Sequence, residues 1–186
     1  GQVLEALEFL GAVARVAPEL PYLGWGVRWL DARVVGAMSW DWASQHLVRT
    51  GLSLLSRVPP KPRPEDPRLP NVRAVVEIFA ALRSKFSDQV LVVAGEALLR
   101  RRLGDVQGAM ALANEAAHKF PQDWRARMAM MNALMDAKRP DEALVQARAC
   151  LQLDPDDFSP LHDVAWGYVD AGRFADAVKV LDELVA

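Results

Sequence analysis

The sequence predicts an all-α protein built from stacked pairs of antiparallel helices. Similar segments recur every 34 residues, as Ala109 and Ala143 show, and this period is typical of helix-pair repeats. Within the segments, apolar side chains recur at three- and four-residue steps, which is the spacing of one helical face. Turn-forming residues recur at the same period between the segments, so the helices and their connections repeat together.

Four segments align at this period: AVVEIFAALRSKFSDQ (74–89), GAMALANEAAHKFPQD (108–123), EALVQARACLQLDPDD (142–157) and DAVKVLDELVA (176–186). One column carries mostly small side chains: Val75, Ala109, Ala143 and Ala177. The column seven residues later reads Leu82, Ala116, Cys150 and Leu184. Turn positions keep the same spacing: Pro121 with Pro155, and Gly104 with Lys138 and Gly172. Chance does not explain this many aligned columns.

The repeated residues have local physical reasons. Alanine in the small column lets two helix backbones approach closely. Gly172 follows the predicted end of a helix because glycine accepts the left-handed cap conformation. Pro121 and Pro155 end the preceding helices, since proline disfavours helical geometry in the residue before it. Asp123 and Asp157 then stand where a side-chain oxygen can cap the next helix.

Two amphipathic helices are predicted in the last repeat. The first carries its apolar side chains on one face: Leu161, Val164, Ala165 and Tyr168. The second has a corresponding apolar face: Phe174, Ala177, Val178 and Leu181.

The pattern divides the chain into three regions: an N-terminal helical region (1–57), a Pro-rich loop or linker (58–70) and the repeats (71–186). The repeat region comprises a degenerate half-repeat and three fuller repeats: 71–89, 90–123, 124–157 and 158–186. Prolines recur throughout 58–70, and they exclude a helix there because proline lacks the amide hydrogen and fixes φ.

Three helical segments are predicted before the loop, at 2–16, 22–38 and 40–57, with a break at 18–21. The segment 40–57 is interpreted as the displaced partner of the half-repeat helix, joined to it by the enlarged loop. The segment 22–38 is apolar nearly all round, which predicts a buried helix.

Four tryptophans fall close together: Trp25, Trp29, Trp40 and Trp42. The favoured interpretation is that they pack the N-terminal helices together and cover the first repeat. The alternative is a partner surface or a membrane-interface element, because tryptophan is enriched in both settings. Charged residues interrupt every window long enough to cross a bilayer, so a transmembrane span is excluded.

Signals for chemistry are weak in this sequence. A formal net charge of −2 and the absence of a basic stripe argue against nucleic acid as a partner. A single cysteine, Cys150, excludes an internal disulfide and a thiolate metal site, and it is predicted to be a core thiol. Glycine-rich phosphate loops are absent, and the three histidines are scattered at His46, His118 and His162. We therefore expect no catalytic residue, no metal and no cofactor, and interpret the chain as not an enzyme.

Two charged clusters have structural interpretations. The arginines at 100–102 close a predicted helix, where cations interact favourably with the negative end of the helix dipole. A phosphate site there would require further basic residues nearby. The aspartates 154, 156 and 157 occupy a turn between repeats, where turn and cap roles are expected.

At the repeat residues the chain resembles the tetratricopeptide repeat family. The match is best in LHDVAWGYVDAGRFADAV (161–178), with Ala165, Tyr168, Gly172 and Ala177 at the family's positions. The segment KRPDEAL and the later LDP (138–155) are also typical, whereas Arg100 stands where an aromatic residue is usual. The resemblance covers residues 90–186 and implies a solenoid whose concave groove binds peptides or helices of partner proteins.

The resemblance also implies which residues line the groove, since the first helix of each repeat faces it. Eight of these positions are candidate partner-binding residues: Leu98, Arg101, Arg125, Met128, Asn132, Met135, His162 and Trp166. Family members that grip acidic chaperone C-termini share a Lys/Asn/Arg clamp, which only Asn132 matches here, while Met128 and Asp163 replace its cations. The remaining apolar and polar mixture favours an amphipathic peptide or helix with some acidic character. A groove filled by a further segment of the same protein is the alternative.

The resulting expectation is a non-enzymatic adaptor or scaffold for another protein. One alternative is a secretion-type chaperone for an export substrate, and another is a peripheral membrane-associated component using the Trp-rich N-terminal helices. Membrane association is the less favoured of the expected interactions.

The end of the chain suggests a further contact, because Leu181 and Leu184 belong to a helix with no following repeat to cover it. This predicts either further chain or self-association through that helix. The chain begins with Gly1 rather than Met, so we expect it to be part of a longer protein. A cytoplasmic location is the expectation, and the absence of a recognisable signal peptide says little about it, because the start at Gly1 leaves room for a preceding signal.

Overall fold

The computed structural model describes residues 2–183, and every regular element in that part of the chain is helical. The chain divides into two compact units, residues 1–105 and residues 106–186. The region boundaries at 57 and 70 stay a prediction. Leu184, the last member of its repeat column, lies outside the described residues.

The first unit contains seven α-helices and one π-helical turn among its described residues. They are α1 (Gln2–Val16), α2 (Leu23–Val27), α3 (Ala32–Ala37), α4 (Trp40–Ala43), the π-turn (Ser44–Val48), α5 (Arg49–Arg57), α6 (Leu69–Arg83) and α7 (Val90–Arg102). The π-turn joins α4 to α5, so residues 40–57 form one continuous helical segment.

The core of the first unit is organised around the ring of Phe79, which is fully buried on α6. Glycines face this ring from two other helices. A Cβ atom on Gly51 of α5 would lie 2.6 Å from the ring, and one on Gly95 of α7 would lie 2.7 Å from it. Real side chains essentially never approach so closely, so any larger residue at these positions would displace the ring. Phe79 therefore joins α5, α6 and α7 at one point.

The N-terminal helix α1 contacts the π-turn and α5 by an equally close approach. A Cβ atom on Gly11 would lie 3.0 Å from the hydroxyl oxygen of Thr50. Thr50 is buried and donates its hydroxyl to the carbonyl of His46 at 2.6 Å, while Arg15 donates to the Thr50 hydroxyl at 2.7 Å. Arg15 also donates to the His46 carbonyl at 3.1 Å. Polar atoms inside this helix contact are thus paired with one another.

The segment 22–38 differs from its prediction, since it is not one buried helix. It breaks into α2 and α3, and Asp31 caps the second of these by accepting from the amide of Val34 at 2.7 Å. At the other end of α3, the ammonium group of Lys85 donates to the carbonyls of Gly36 and Met38, each at 2.7 Å. An Asp cap and a Lys cap stabilise a short helix that propensity alone would not.

The four clustered tryptophans separate into two pairs. Trp40 and Trp42 pack against the core, and Trp40 lies 5.5 Å from the buried ring of Phe86. Trp25 and Trp29 keep 58% and 41% of their surface exposed. The expectation that all four pack the helices together is therefore wrong for Trp25 and Trp29, because the break in the helix turns them towards solvent.

The first unit also buries one carboxylate. Glu96 on α7 has no exposed surface, and it accepts from Arg83 at 2.9 Å and from Arg100 at 2.9 Å. Arg100 also binds Asp105 at 2.8 Å, and this hydrogen bond is the main reason why the pKa of Arg100 is raised. A buried charge requires such partners, since an unpaired carboxylate in the core is strongly unfavourable.

The second unit consists of five helices among its described residues: α8 (Val106–Lys119), α9 (Trp124–Asp136), α10 (Pro140–Leu153), α11 (Ser159–Asp170) and α12 (Phe174–Asp182). Each helix packs against the next, and α9 also contacts α11.

The column of small residues is buried where predicted, with Ala109, Ala143 and Ala177 at most 3% exposed. The helix ends also match, since Asp123 and Asp157 accept from the amides of Arg125 and Ser159 at 2.9 and 3.0 Å.

The turn position of the repeat is left-handed in all three copies. The φ angles are +75° at Gly104, +61° at Lys138 and +73° at Gly172. Glycine adopts this conformation freely, whereas an L-residue such as lysine is strained by its Cβ atom. The repeat thus preserves a backbone conformation even where the sequence loses the residue that suits it.

We expect Lys138→Gly to raise the free energy of unfolding by about 0.5–1 kcal/mol, because relief of the left-handed strain exceeds the added entropy of the unfolded chain. Gly172→Ala should lower it by roughly 1 kcal/mol for the converse reason. Urea melts followed by circular dichroism measure both changes. Lys138→Ala is the matched control, since it removes the lysine chain but keeps the Cβ, and it should change little. Equal stability of Lys138→Gly and Lys138→Ala would contradict the argument.

Candidate partner-binding surface

The candidate surface in the second unit lies on α9 and α11, the first helices of two successive repeats. We call it the α9–α11 face, and it is defined by six residues: Arg125, Met128, Asn132, Met135, His162 and Trp166. The two helices approach closely at one point, where a Cβ atom on Gly167 would meet the Met135 side chain at 1.7 Å. Glycine at 167 therefore allows Met135 to lie against α11. Any other residue there would displace the methionine.

Trp166 is the most exposed large aromatic of this face, with 56% of its surface accessible. Its indole N–H donates to Nε2 of His162 at 3.1 Å, one helical turn earlier. The two rings meet edge to face with centroids 6.3 Å apart. Trp166 is therefore not buried between repeats, and the histidine holds its indole at the surface.

The α9 side chains of the face alternate between polar and apolar along the helix. Arg125 is exposed at the start of the helix and lies 4.8 Å from the ring of Trp124. Met128 and Met135 are half-buried and pack against the core of the second unit. Asn132 is half-buried between them and donates its amide to the carbonyl of Met128 at 3.0 Å. The face thus offers flexible thioethers backed by a core, with one cation at its edge.

Two of the eight candidate residues belong to the first unit. Leu98 and Arg101 lie on α7, and both are half-buried. The other six candidates lie on α9 and α11 of the second unit, where Met135 lies against Gly167 and Trp166 contacts His162. The assignment of all eight as partner-binding residues stays a prediction.

A polar cluster fixes the end of α11 nearest to α10 and α12. The buried Tyr168 donates its hydroxyl to Asp141 at 2.9 Å, and Arg173 binds the same carboxylate at 2.8 Å. Burial, followed by the hydrogen bond to Asp141, raises the pKa of Tyr168 to about 12. The hydrogen bond from Arg173 holds the pKa of Asp141 below its usual range. This cluster holds α11, and therefore Trp166, in a fixed position relative to its neighbours.

The apolar face predicted for α12 is only partly covered, and the exposure of Leu181 agrees with the expectation that no following repeat covers this helix. Only Ala177 and Val180 are buried, whereas Phe174, Val178 and Leu181 keep 63%, 56% and 39% of their surface exposed. Residues at the corresponding repeat positions of α10, such as Leu144 and Ala147, pack into the core. The difference arises because α11 follows and covers α10, whereas no described helix follows α12. We call Phe174, Val178 and Leu181 the α12 face.

An aromatic surface in the first unit was also missed as an exposed feature. Tyr22 and Trp25 stack with centroids 4.9 Å apart and keep 38% and 58% of their surfaces exposed, and the exposed Trp29 follows beyond the end of α2. Arg28 and Arg33 are exposed within the same short segment. We call Tyr22, Trp25 and Trp29 the aromatic patch. The signal that could have located it is Asp31, a capping residue that divides the segment into two helices.

Residues considered for chemistry have structural roles instead. Cys150 is buried, and burial raises the pKa of its thiol to about 11, so it is not an activated nucleophile. Arg100 binds Glu96 and Asp105, and Arg102 donates to the carbonyls of Val58 and Leu55 at 3.0 and 3.2 Å. Arg100 and Arg102 therefore stabilise the packing of the first unit. Among residues 2–183, no three His, Cys, Asp or Glu side chains converge in a metal-site arrangement.

Comparison with known families identifies the repeat. Residues 101–162 match the family model of the tetratricopeptide repeat. These residues form a tetratricopeptide-repeat segment. The match runs from the end of α7 to the beginning of α11, and it confirms the resemblance noted in the sequence. Such repeats are scaffolds for protein–protein interaction and are not typically enzymatic.

Solved structures of similar fold extend over nearly the whole chain. MamA 41-end from Desulfovibrio magneticus RS-1 is 12% identical with a TM-score of 0.60, covering 100% of this chain and 94% of that chain. A second structure, MamA AMB-1 in its P212121 crystal form, is 18% identical with a TM-score of 0.55, covering 96% and 88% of the two chains. No curated protein matches the sequence. The similarity shows the fold, and it confirms the predicted all-α solenoid class of helix pairs.

Proposed function

We propose that this protein is a non-enzymatic adaptor that binds an amphipathic segment of a partner protein on the α9–α11 face. The fold is that of a protein-interaction scaffold. The single observation that carries the proposal is the surface position of Trp166, an exposed indole oriented by His162 and adjacent in sequence to Gly167, against which Met135 lies.

The side chains of the α9–α11 face indicate which kind of ligand it would bind. Exposed tryptophan and flexible methionine adapt to apolar side chains, and they favour a helix or an extended peptide with apolar anchors. Arg125 at the edge of the face is an exposed cation that also contacts the carboxylate of Asp123 at 3.4 Å, and it favours a segment with an acidic residue near its apolar anchors. Buried aromatic anchors usually dominate the energy of such contacts.

We expect Trp166→Ala and Met128→Ala each to weaken partner binding by about 1–3 kcal/mol while helicity is retained. Affinity is measured by calorimetry with the partner recovered by crosslinking from native cells. Phe158→Ala and Val145→Ala are matched controls, because both side chains are exposed in the same unit and lie outside the α9–α11 face. Normal binding by both face variants would overturn the assignment, as would selective loss in the two controls.

The aromatic patch supports a second candidate function, which is peripheral attachment to a membrane surface. Exposed tryptophan and tyrosine rings suit the headgroup region of a bilayer, and the exposed Arg28 and Arg33 suit anionic lipids. None of the helices in residues 2–183 combines the length and the hydropathy that a membrane crossing requires. Attachment would therefore be interfacial.

In a flotation assay with phosphatidylserine vesicles, the protein should rise with the vesicles. The double variant Trp25→Ala and Trp29→Ala should no longer rise with them. Trp166→Ala is the control, since it removes an exposed tryptophan of the other unit. A chain that remains at the bottom of the gradient excludes the membrane role. If Trp25→Ala and Trp29→Ala instead weaken binding of the partner protein, the aromatic patch is the partner site.

The α12 face supports self-association, because its apolar residues occupy repeat positions that a following helix covers in α10. Light scattering should show a concentration-dependent oligomer that Val178→Asp dissociates. Val145→Asp, an equally exposed valine on α10, should leave the oligomer intact. A monomer at every concentration would exclude this role.

The export-chaperone alternative stays a prediction, for which co-purification with an export substrate is the test.

A further inference from the structure

The indole of Trp166 is oriented by a single hydrogen bond. Its backbone is fixed, because the neighbouring Ala165 is buried and Gly167 lies against Met135. The ring itself keeps 56% of its surface exposed, and its N–H donates to Nε2 of His162 at 3.1 Å. Among residues 2–183, no other side-chain hydrogen bond or ring contact involves Trp166. The position of the indole therefore depends on His162.

Helix geometry brings the indole and imidazole rings together. His162 and Trp166 stand four residues apart on α11, so they lie on the same face of the helix. Side chains of a helix lean towards its N-terminus, so the indole reaches back over the turn that carries the imidazole. The two rings meet edge to face, with their planes inclined at 75°. The contact is formed within one helix, so it requires no partner.

This hydrogen bond specifies the protonation state of the histidine. An indole N–H can only donate, so Nε2 of His162 must carry a lone pair, and the proton of the neutral ring must lie on Nδ1. Nδ1 lies 3.8 Å from a carboxylate oxygen of Asp163. A carboxylate favours a proton on the nitrogen that faces it, so Asp163 and Trp166 select the same tautomer.

Few other charged groups act on this imidazole. Among residues 2–183, the side chain of His162 has no ion pair or hydrogen bond besides those with Asp163 and Trp166. Charged groups on the helices packed against α11 are paired elsewhere: Arg125 with Asp123 on the α9 side, and Asp141 with Arg173 on the α10 and α12 side. The tautomer is therefore set by two neighbours on α11 itself.

We propose that Asp163 and His162 are positioning residues for Trp166, and that the α9–α11 face binds its partner well only while His162 is neutral. This inference rests on the function proposed above for that face. Asp163 fixes the tautomer of the imidazole, and the imidazole in turn fixes the indole. Neither residue needs to touch the partner for this role.

Protonation of His162 removes the acceptor on which the arrangement depends. A proton from solvent adds to the lone pair of Nε2, and the ring then carries an N–H on both nitrogens. The new N–H faces the indole N–H as a second donor, so the hydrogen bond is lost and the indole is free to rotate. Binding must then order a mobile side chain, which lowers affinity. Histidine ordinarily changes charge between pH 5 and 8, so affinity should fall as the pH is lowered through that range.

Heteronuclear NMR of the free, labelled chain tests the positioning directly. At pH 8 the ring nitrogens of His162 should show the proton on Nδ1, and Asp163→Asn should reduce the population of this tautomer. As the pH is lowered to 5, the indole N–H resonance of Trp166 should shift together with the histidine nitrogens. Trp166→Phe assigns that resonance. The indole of Trp124, in the same unit, is the internal control and should not follow the titration.

Two substitutions of His162 separate its roles, and both are tolerated by the fold because this side chain is 58% exposed. His162→Gln keeps an oxygen that can accept from the indole but does not titrate, so it should hold the ring at every pH. His162→Phe offers no acceptor and should leave the indole mobile at every pH. His118→Gln is the matched control, since His118 is an exposed histidine of α8, and it should behave as the parent does.

Binding is measured with an amphipathic peptide selected on the parent chain from a displayed library at pH 8. For the parent, we expect affinity to fall by roughly three- to tenfold between pH 8 and pH 5. The affinity of His162→Gln should be the same at both values, and that of His162→Phe should be low at both. Circular dichroism at each pH checks that helicity is retained.

A proton on Nε2 of His162 at pH 8 would overturn the proposal, as would an indole resonance of Trp166 that does not follow the histidine titration. A fall in affinity that persists unchanged in His162→Gln would overturn it equally. If the library yields no peptide whose binding requires Trp166, the function proposed for the α9–α11 face is wrong, while the NMR result still decides whether His162 positions the indole.

Discussion

Close approach of helix backbones at small residues is the constraint on which the rest of the structure depends. In the first unit the ring of Phe79 fits between Gly51 and Gly95, and a Cβ atom on either glycine would lie within 2.7 Å of it. In the second unit the buried alanines of the repeat column, such as Ala143, serve the same purpose. Helices packed at this distance exclude larger side chains from the contact itself, because protein interiors are close-packed.

Polar contacts then fix where each helix begins and ends. In the second unit, left-handed turns at Lys138 and Gly172 connect α9 to α10 and α11 to α12, and the hydrogen bond from Tyr168 to Asp141 joins α11 to α10. In the first unit, caps from Asp31 and Lys85 stabilise a helix too short to persist by propensity.

The surfaces that remain differ in chemistry, and each suits a different kind of contact. The α9–α11 face combines an exposed indole with thioethers supported by the core. The aromatic patch combines aromatic rings with exposed arginines, and the α12 face is purely apolar. The Pro-rich loop exposes the cations Lys61 and Arg63 between prolines. A scaffold with several dissimilar surfaces is suited to bringing unlike partners together, which is consistent with a fold built from protein-interaction repeats.

The sequence by itself determined the features that depend on local chemistry and on period. The repeat register, the buried alanine column, the capping aspartates and the helix of α1 all followed from residue identity and spacing, because each is decided within one or two turns of chain. Tertiary structure decided which apolar faces are covered. Trp25 and Trp40 are the same residue type, yet one is exposed and the other packs on Phe86. Val178 carries the helical spacing of a core residue and is exposed. Burial depends on whether another helix arrives to cover a face, and that is a property of the assembled fold.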